Sequence, residues 1–320
     1  MRAPHVIAVD LGGTKLATGL VDRDGALVRP AVEPTDLSSE DRVLAQLERA
    51  VGRLAGSGFA ALGIGVPSTI DQRAGRAVTS VNIPLAGVDL RELLQERFAV
   101  PVMVENDANA AALAEHRLGA GRGSRHMVML TLGTGVGGGL ILDGRLYRGS
   151  VGAAAELGHI TIDEDGPPCQ GTCPGRGHLE ALVSGTAVER LAARAAAEHP
   201  DGDLARAARD GRELDARLVT ELAVQGPGDA RDVLEHVGFH LGIGIADFVN
   251  VFNPEVVVVG GGFGEAGELI LDPARRVARE RSLSPARDEV RIVEAELGSE
   301  AGIIGSGLAA FEALDARAGA

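Results

Sequence analysis

The sequence has no tryptophan, one tyrosine and seven phenylalanines among its 320 residues. A core of this size must therefore be built mostly from Ala, Val, Leu and Ile. Lysine occurs once, at Lys15, while arginine is plentiful. That bias says little about function. No apolar run reaches the roughly 18 residues of a membrane span. The start, MRAPHVIAVDLGGTK, enters a strand directly and lacks the pattern of a secretory signal. With a net charge of −14 there is no basic stripe for a phosphate backbone, which argues against a nucleic-acid partner. A cytoplasmic enzyme is the expectation. Cysteine is confined to Cys169 and Cys173, and in a reducing compartment such thiols are more often ligands or free groups than a disulfide.

Glycine, by contrast, is abundant, with 45 residues. Most sit in short turns beside apolar runs, a placement expected where backbone approaches a ligand. The pattern strand, glycine turn, strand, Asp-Gly hairpin, strand occurs twice. It starts first at residue 5, through Gly12-Gly13 and Asp24-Gly25, and again at 127, through residues 133–135 and Asp143-Gly144. This predicts an internal duplication. Between the copies lie a helix over 39–55, a buried strand over 61–66, a Pro-containing loop over 67–75, a helix over 90–98 and a strand over 100–104. An alanine-rich helix follows over 108–118. Further on, helices are expected over 185–198, 229–251 and from 268, with a buried strand over 255–259. The alternation is α/β. The expected domains are a small one over 1–119, completed by a C-terminal helix within 301–320, and a large one over 120–300.

Five constellations carry chemistry. Asp10, Gly12, Gly13, Thr14 and Lys15 form D-x-G-G-T-K, whose glycines let N–H groups approach an anion while Thr14 adds a hydroxyl. Asp10 could hold a hydrated Mg²⁺. Alone, the stretch is equally an ordinary β-turn, and it is not a P-loop. Gly133, Thr134 and Gly135 are the equivalent turn of the second copy. Gly261 and Gly262, after a buried strand, offer a third glycine edge for a nucleoside or phosphate, or simply a tight helix entry. Glu105-Asn106-Asp107 stands at a strand end entering a helix, where active-site groups of α/β folds gather. Either Asn106 or Asp107 only caps the helix, or Asp107 is a general base and Asn106 orients the substrate. Finally, residues 156–180 hold Glu156, His159, Cys169, Cys173, His178 and Glu180. His159, Cys169, Cys173 and His178 make a Cys₂His₂ set for a closed tetrahedral zinc that would fix a Gly- and Pro-rich loop. The alternative is a floppy loop with incidental thiols.

Taken in order, D-x-G-G-T-K at Asp10, E-N-D-A-N-A-A-A at Glu105, G-T-G-V-G-G-G at Gly133, E-L-G-H at Glu156 and the His-Leu-Glu run into Glu180 resemble the ROK family (repressors, open reading frames, kinases), especially its bacterial glucokinase branch. The resemblance implies the duplicated actin-like (ribonuclease-H-like) sugar kinase fold, two domains flanking a cleft, and ATP-dependent phosphorylation of a hexose 6-hydroxyl, glucose first. It implies Asp107 as base, sugar contacts from Asn82, Asn106, Asp107, Glu156, His159 and Glu180, phosphate contacts from the two glycine turns, Mg²⁺, and a structural Zn²⁺. Other substrates within the family are fructose, mannose or an N-acetylhexosamine, and polyphosphate is a remoter donor. A sugar-sensing regulator would carry a helix-turn-helix module, for which a start so near Asp10 leaves no room. A homodimer or homotetramer is expected. The chain departs from the family pattern in two places. The spacing is C-x-x-x-C with His178 where the family has a cysteine, and Ser68-Thr69 stands where Gly-Pro is common.

Overall fold

A computed structural model describes residues 5–80, 82–263 and 266–318. The chain opens with β1 (Val6–Leu11), β2 (Lys15–Val21) and β3 (Leu27–Pro34), then α1 (Glu40–Ala55) and β4 (Leu62–Val66). Next come β5 (Ser68–Asp71), β6 (Arg76–Ser80), α2 (Leu90–Phe98), β7 (Val102–Asn106) and α3 (Asp107–Arg117). The second copy begins with β8 (Met127–Leu132), β9 (Val136–Leu142) and β10 (Arg145–Leu146). Five helices follow: α4 (Leu179–Val183), α5 (Gly185–Glu198), α6 (Asp203–Arg209), α7 (Ala216–Val224) and α8 (Asp229–Phe252). The chain closes with β11 (Val256–Gly260), α9 (Glu268–Arg281), α10 (Ala286–Glu289), β12 (Arg291–Glu294) and α11 (Ala301–Ala318).

The two five-stranded sheets have the same strand order, β3-β2-β1-β4-β7 and β10-β9-β8-β11-β12. In the first, β1 is antiparallel to β2 and parallel to β4, and β4 is parallel to β7. In the second, β9 is antiparallel to β10, and β8, β11 and β12 run parallel. The predicted duplication is therefore present in the topology. Parallel strands buried on both faces read as unbroken apolar runs, and β4 and β11 are buried at every residue. Helix α1 starts where Ser39 accepts the Arg42 N–H at 3.3 Å, with Glu40 and Asp41 favourably placed in its first turn. It buries one stripe, Val43, Leu47, Ala50, Val51 and Leu54.

The chain divides into two compact units, Met1–Gly123 with Gly139–Ala155 and Ser299–Ala320, and Ser124–Gly138 with Glu156–Gly298. The segment Gly139–Ala155, expected in the larger domain, is grouped with the first unit. The reason is local packing: a Cβ on Gly139 would press on Ala112 of α3, and one on Gly152 would overlap the Ile70 carbonyl.

Two expectations need correction. The Pro67 loop is in fact the hairpin β5–β6, with Ser68 opposite Ser80 and Thr69 opposite Thr79. Pro67 precedes the first strand residue, where no ladder donor is required, and Ile70 and Ala77 are fully buried beneath the hairpin. The glycines, too, serve packing as much as ligand approach. A Cβ on Gly63 of β4 would overlap the Ser306 carbonyl of α11, and one on Gly305 would overlap the Ala110 carbonyl of α3. In the second unit, Gly238 and Gly242 let α8 lie against Pro273, Ala274 and Val277 of α9. With few aromatics to fill space, the elements close up backbone to backbone. Among the described residues no helix is long and apolar enough to cross a membrane.

Candidate active site

In the first unit, strand register gathers the predicted residues. Asp10 of β1 lies opposite Gly65 of β4, and Gly65 opposite Glu105 of β7. These are the carboxyl ends of three parallel strands, the edge where open α/β sheets place ligands. The β1–β2 turn closes when the Gly12 N–H donates to the Lys15 carbonyl at 2.8 Å. Thr35 anchors the same turn, its hydroxyl donating to the Gly12 carbonyl at 2.7 Å. Asn82 is adjacent, since a Cβ on Gly13 would sit 3.5 Å from its Cβ. Helix α11 reaches the edge as well: a Cβ on Gly302 would come within 2.7 Å of Asp10 Oδ2. Burial, reinforced by the Asp107 carboxylate and opposed by Lys15, raises the Asp10 pKa from 3.8 to about 6. Asp10 and Asp107 thus feel each other's charge.

At the β7–α3 corner, Asn106 is the helix cap. Its side-chain oxygen accepts the Asn109 N–H at 3.0 Å, and its Nδ2 donates to the Ser68 carbonyl at 3.4 Å and to Asp107 Oδ1 at 3.2 Å. Asp107 Oδ1 also accepts the Ala108 N–H at 2.8 Å. The two sequence alternatives therefore divide. Capping falls to Asn106, and Asp107 occupies the first helical turn, where the dipole favours a carboxylate. Glu105, to which the sequence assigns no role of its own, is buried against Arg148 and Gln72.

In the second unit, a 3₁₀ turn at Leu157–His159 and the start of α4 bring the ligand set together. His159 Nδ1 is 3.3 Å from His178 Nδ1 and 3.6 Å from Cys169 Sγ, and Cys173 Sγ is 3.6 Å from His178 Nδ1. All four ligand atoms lie within 4.8 Å of one another. Both thiols are free. Short backbone bonds brace the loop, among them Gly177 N–H to the Pro167 carbonyl at 2.8 Å and Cys169 N–H to the Gly175 carbonyl at 2.9 Å. Burial is the main force pushing the Cys169 thiol up to about 12, with Cys173 and Glu180 adding to it. His178, standing where a cysteine is common, completes the quartet.

Glu180 joins this loop to the second glycine turn. Its Oε1 lies 3.7 Å from Cys169 Sγ, while its Oε2 accepts the Val136 N–H at 2.8 Å. The turn is also held from α5, by Gly185 N–H to the Gly133 carbonyl at 2.8 Å and Thr186 Oγ1 to the Thr134 carbonyl at 3.0 Å. Glu156 is near enough to feel both neighbours: partial desolvation and Glu180 raise its pKa, and His159 opposes them. Gly261, at φ +90°, directly follows β11, where a Cβ would sit 2.6 Å from the Leu132 nitrogen, so glycine is required for packing there. Gly262 has open space at the same position.

Comparison with known proteins bears on the family and the fold. The ROK family pattern matches residues 6–312. A glucokinase of Streptomyces coelicolor is 35% identical over 304 residues, covering 94% of this chain and 95% of that protein. The crystal structure of a ROK family glucokinase from Streptomyces griseus, in complex with glucose and AMPPNP, superposes with a TM-score of 0.85 at 35% identity. It covers 96% of this chain and 99% of that one. A xylose repressor of Caldicellulosiruptor bescii is 32% identical over 248 residues, covering 78% of this chain and 61% of its own. Duplicated sheets of one strand order, with acidic residues and glycine turns at strand ends, define a sugar kinase of the actin-like, ribonuclease-H-like fold. The strength and extent of the match then make the assignment specific. The chain belongs to the ROK family.

Proposed function

We propose that this protein transfers the terminal phosphoryl group of ATP to the 6-hydroxyl of a hexose, with glucose as its preferred substrate. The observation that carries the reading is the electrostatic pairing of Asp107, at the β7–α3 corner, with Asp10, two strands away along the same carboxyl edge of the sheet. In the first unit, Asp107 takes the proton of the attacking hydroxyl, and Asn82 and Asn106 hold the sugar. An aspartate is a weak base in water, but on a positioned hydroxyl it suffices. Asp10 is where the hydrated Mg²⁺ of the nucleotide substrate is best tolerated, because a cation offsets the repulsion between Asp10 and Asp107. The β1–β2 turn, Gly12 to Lys15, offers donors to phosphate oxygens.

In the second unit, Glu156, His159 and Glu180 accept or donate to sugar hydroxyls. Gly133 to Gly135, together with Gly261 and Gly262, provide the matching phosphate and nucleoside edge. His159, Cys169, Cys173 and His178 fit a zinc ion. Tetrahedral zinc with bonds of about 2.3 Å to sulfur and 2.0–2.1 Å to nitrogen sets N···N near ~3.3 Å and S···N near ~3.6 Å, the spacings found here. Such an ion would crosslink the loop and keep Cys169 as thiolate. With Nδ1 facing the cluster, His159 keeps Nε2 for the sugar.

The test is coupled ADP release over a panel of hexoses, with polyphosphate as an alternative donor and Asp107→Asn as control. Glucose should turn over fastest, and the variant should lose about 10²–10⁴ in kcat. Turnover of no sugar, or equal turnover by the variant, would remove the mechanism. Sugar binding without ADP release would place the chain with the regulators of its family.

A further inference from the structure

Glu105 is a carboxylate the proposed chemistry does not use, yet it is only 1% exposed. Four groups from four segments converge on it. Arg148 Nε donates to Oε2 at 2.7 Å. Oε1 accepts from the Asn106 N–H at 3.0 Å, from Asn109 Nδ2 at 3.1 Å and from Gln72 Nε2 at 3.3 Å. A buried charge persists only when paired and hydrogen-bonded, and here both conditions are met. The partners come from the loop after β10, from the strand end itself, from α3 and from the β5–β6 turn.

One of these bonds matters beyond stability. The N–H that Oε1 holds belongs to Asn106, whose extended backbone (φ −67°, ψ 144°) turns the chain from β7 into α3. Asp107 is the next residue. Holding the peptide plane that enters Asn106, while the cap bond to the Asn109 N–H holds Asn106 itself, constrains the direction in which Asp107 leaves the helix start. Asn106 is held a second time through its side chain, whose Nδ2 donates to the Ser68 carbonyl and whose oxygen accepts the Asn109 N–H. Arg148 in turn sits on a segment pressed so closely to the hairpin that Gly152 has no room for a Cβ beside the Ile70 carbonyl. For stability alone an apolar pair of equal volume would serve as well. An ion pair with three further hydrogen bonds defines an orientation, which an apolar pair does not.

We propose that Glu105 and Arg148 are a positioning pair that aims Asp107, Arg148 acting only through Glu105. The proposal rests on Asp107 being the base of the phosphoryl transfer. A misplacement of about 1 Å at a reacting group can cost about 10²-fold in rate.

The test compares the full chain with Arg148→Ala, Arg148→Lys and Glu105→Gln. It measures kcat, both KM values and thermal melting by the ADP-release assay and calorimetry. In Arg148→Ala, kcat should fall about 100-fold and the sugar KM should rise, while the ATP KM stays within about twofold. Millimolar guanidinium should restore part of the lost kcat, and sodium chloride at the same ionic strength should not. Because the two residues act as a unit, Glu105→Gln combined with Arg148→Ala should be little worse than either alone. If Arg148→Ala does not fold, Arg148→Lys carries the test, with kcat about tenfold down and the ATP KM unmoved. Folded variants whose kcat is within about threefold of wild type, whatever their melting temperature, overturn the pair's role and leave the kinase reading intact. A wild-type chain that turns over no sugar overturns both.

Discussion

Replacing Asp10 by asparagine should make the ligand-free protein more stable at pH 8 while abolishing turnover. The Asp10 pKa rises from 3.8 to about 6, chiefly through burial and secondarily through Asp107. The folded state therefore binds this proton more tightly than the unfolded state does. Between pH 3.8 and about 6 the folded chain carries more protons, so its stability falls as pH rises through that window. Above it the full penalty applies. At 1.36 kcal/mol per pKa unit the difference amounts to about 3 kcal/mol. Asp10 is half-buried in surface terms, so solvent screening reduces the working range to about 1–3 kcal/mol. For a protein of this size that is a gain of about 1.5–4.5 °C in melting temperature. Asparagine keeps the shape and removes the charge. Melting of wild type and Asp10→Asn, compared at pH 8 and pH 5, reads the effect. The gap should shrink to about half at pH 5, where wild-type Asp10 is largely protonated. Adding Mg²⁺ and a nucleotide should stabilise the wild type and leave the variant nearly unmoved. A variant no more stable than wild type at pH 8, or a gap that is constant between the two pH values, would refute the reasoning.

Elemental analysis should find about one zinc per chain, and Cys169→Ser should lose it with a fall in melting temperature, since three ligands no longer close the tetrahedron. Full activity of a metal-free protein would remove zinc from the account. Gly135→Ala puts a methyl against Glu180 Oε2, which already holds the Val136 N–H. Overpacking of about 1–3 kcal/mol there should raise the ATP KM about tenfold or more, read by steady-state kinetics. Gly63→Ala pushes a Cβ into the Ser306 carbonyl of α11. The expected loss is at least about 1–3 kcal/mol of stability in denaturant titration, with kcat per folded molecule retained.

Much of the site was legible because it depends on local properties. Asp10-x-Gly12-Gly13-Thr14-Lys15 and Gly133-Thr134-Gly135 announce themselves by β-branched runs broken by glycine, and their repetition announces the duplicated fold. His159, Cys169, Cys173 and His178 stand out through sheer density of donors in a stretch that cannot hold a core. The hairpin β5–β6 was hidden because its inward positions, Ser68, Ile70 and Ala77, include only one large apolar side chain, so burial alternates along β5 without an apolar alternation in the sequence. Asn106 and Asp107 were equal candidates for the cap until the Asn109 N–H chose Asn106.

Groupings that lie within about twenty neighbouring residues were therefore determined by the sequence itself: the two glycine turns, the acidic corner and the His–Cys quartet. What only the tertiary structure decided lies between residues far apart in the chain. Arg148 meets Glu105 across 43 positions, Asp10 meets Gly302 of the last helix, and Glu180 meets Val136 across 44. Such pairings depend on strand register and on how closely small residues let backbones approach. Both are collective results of packing, and no local spacing encodes them.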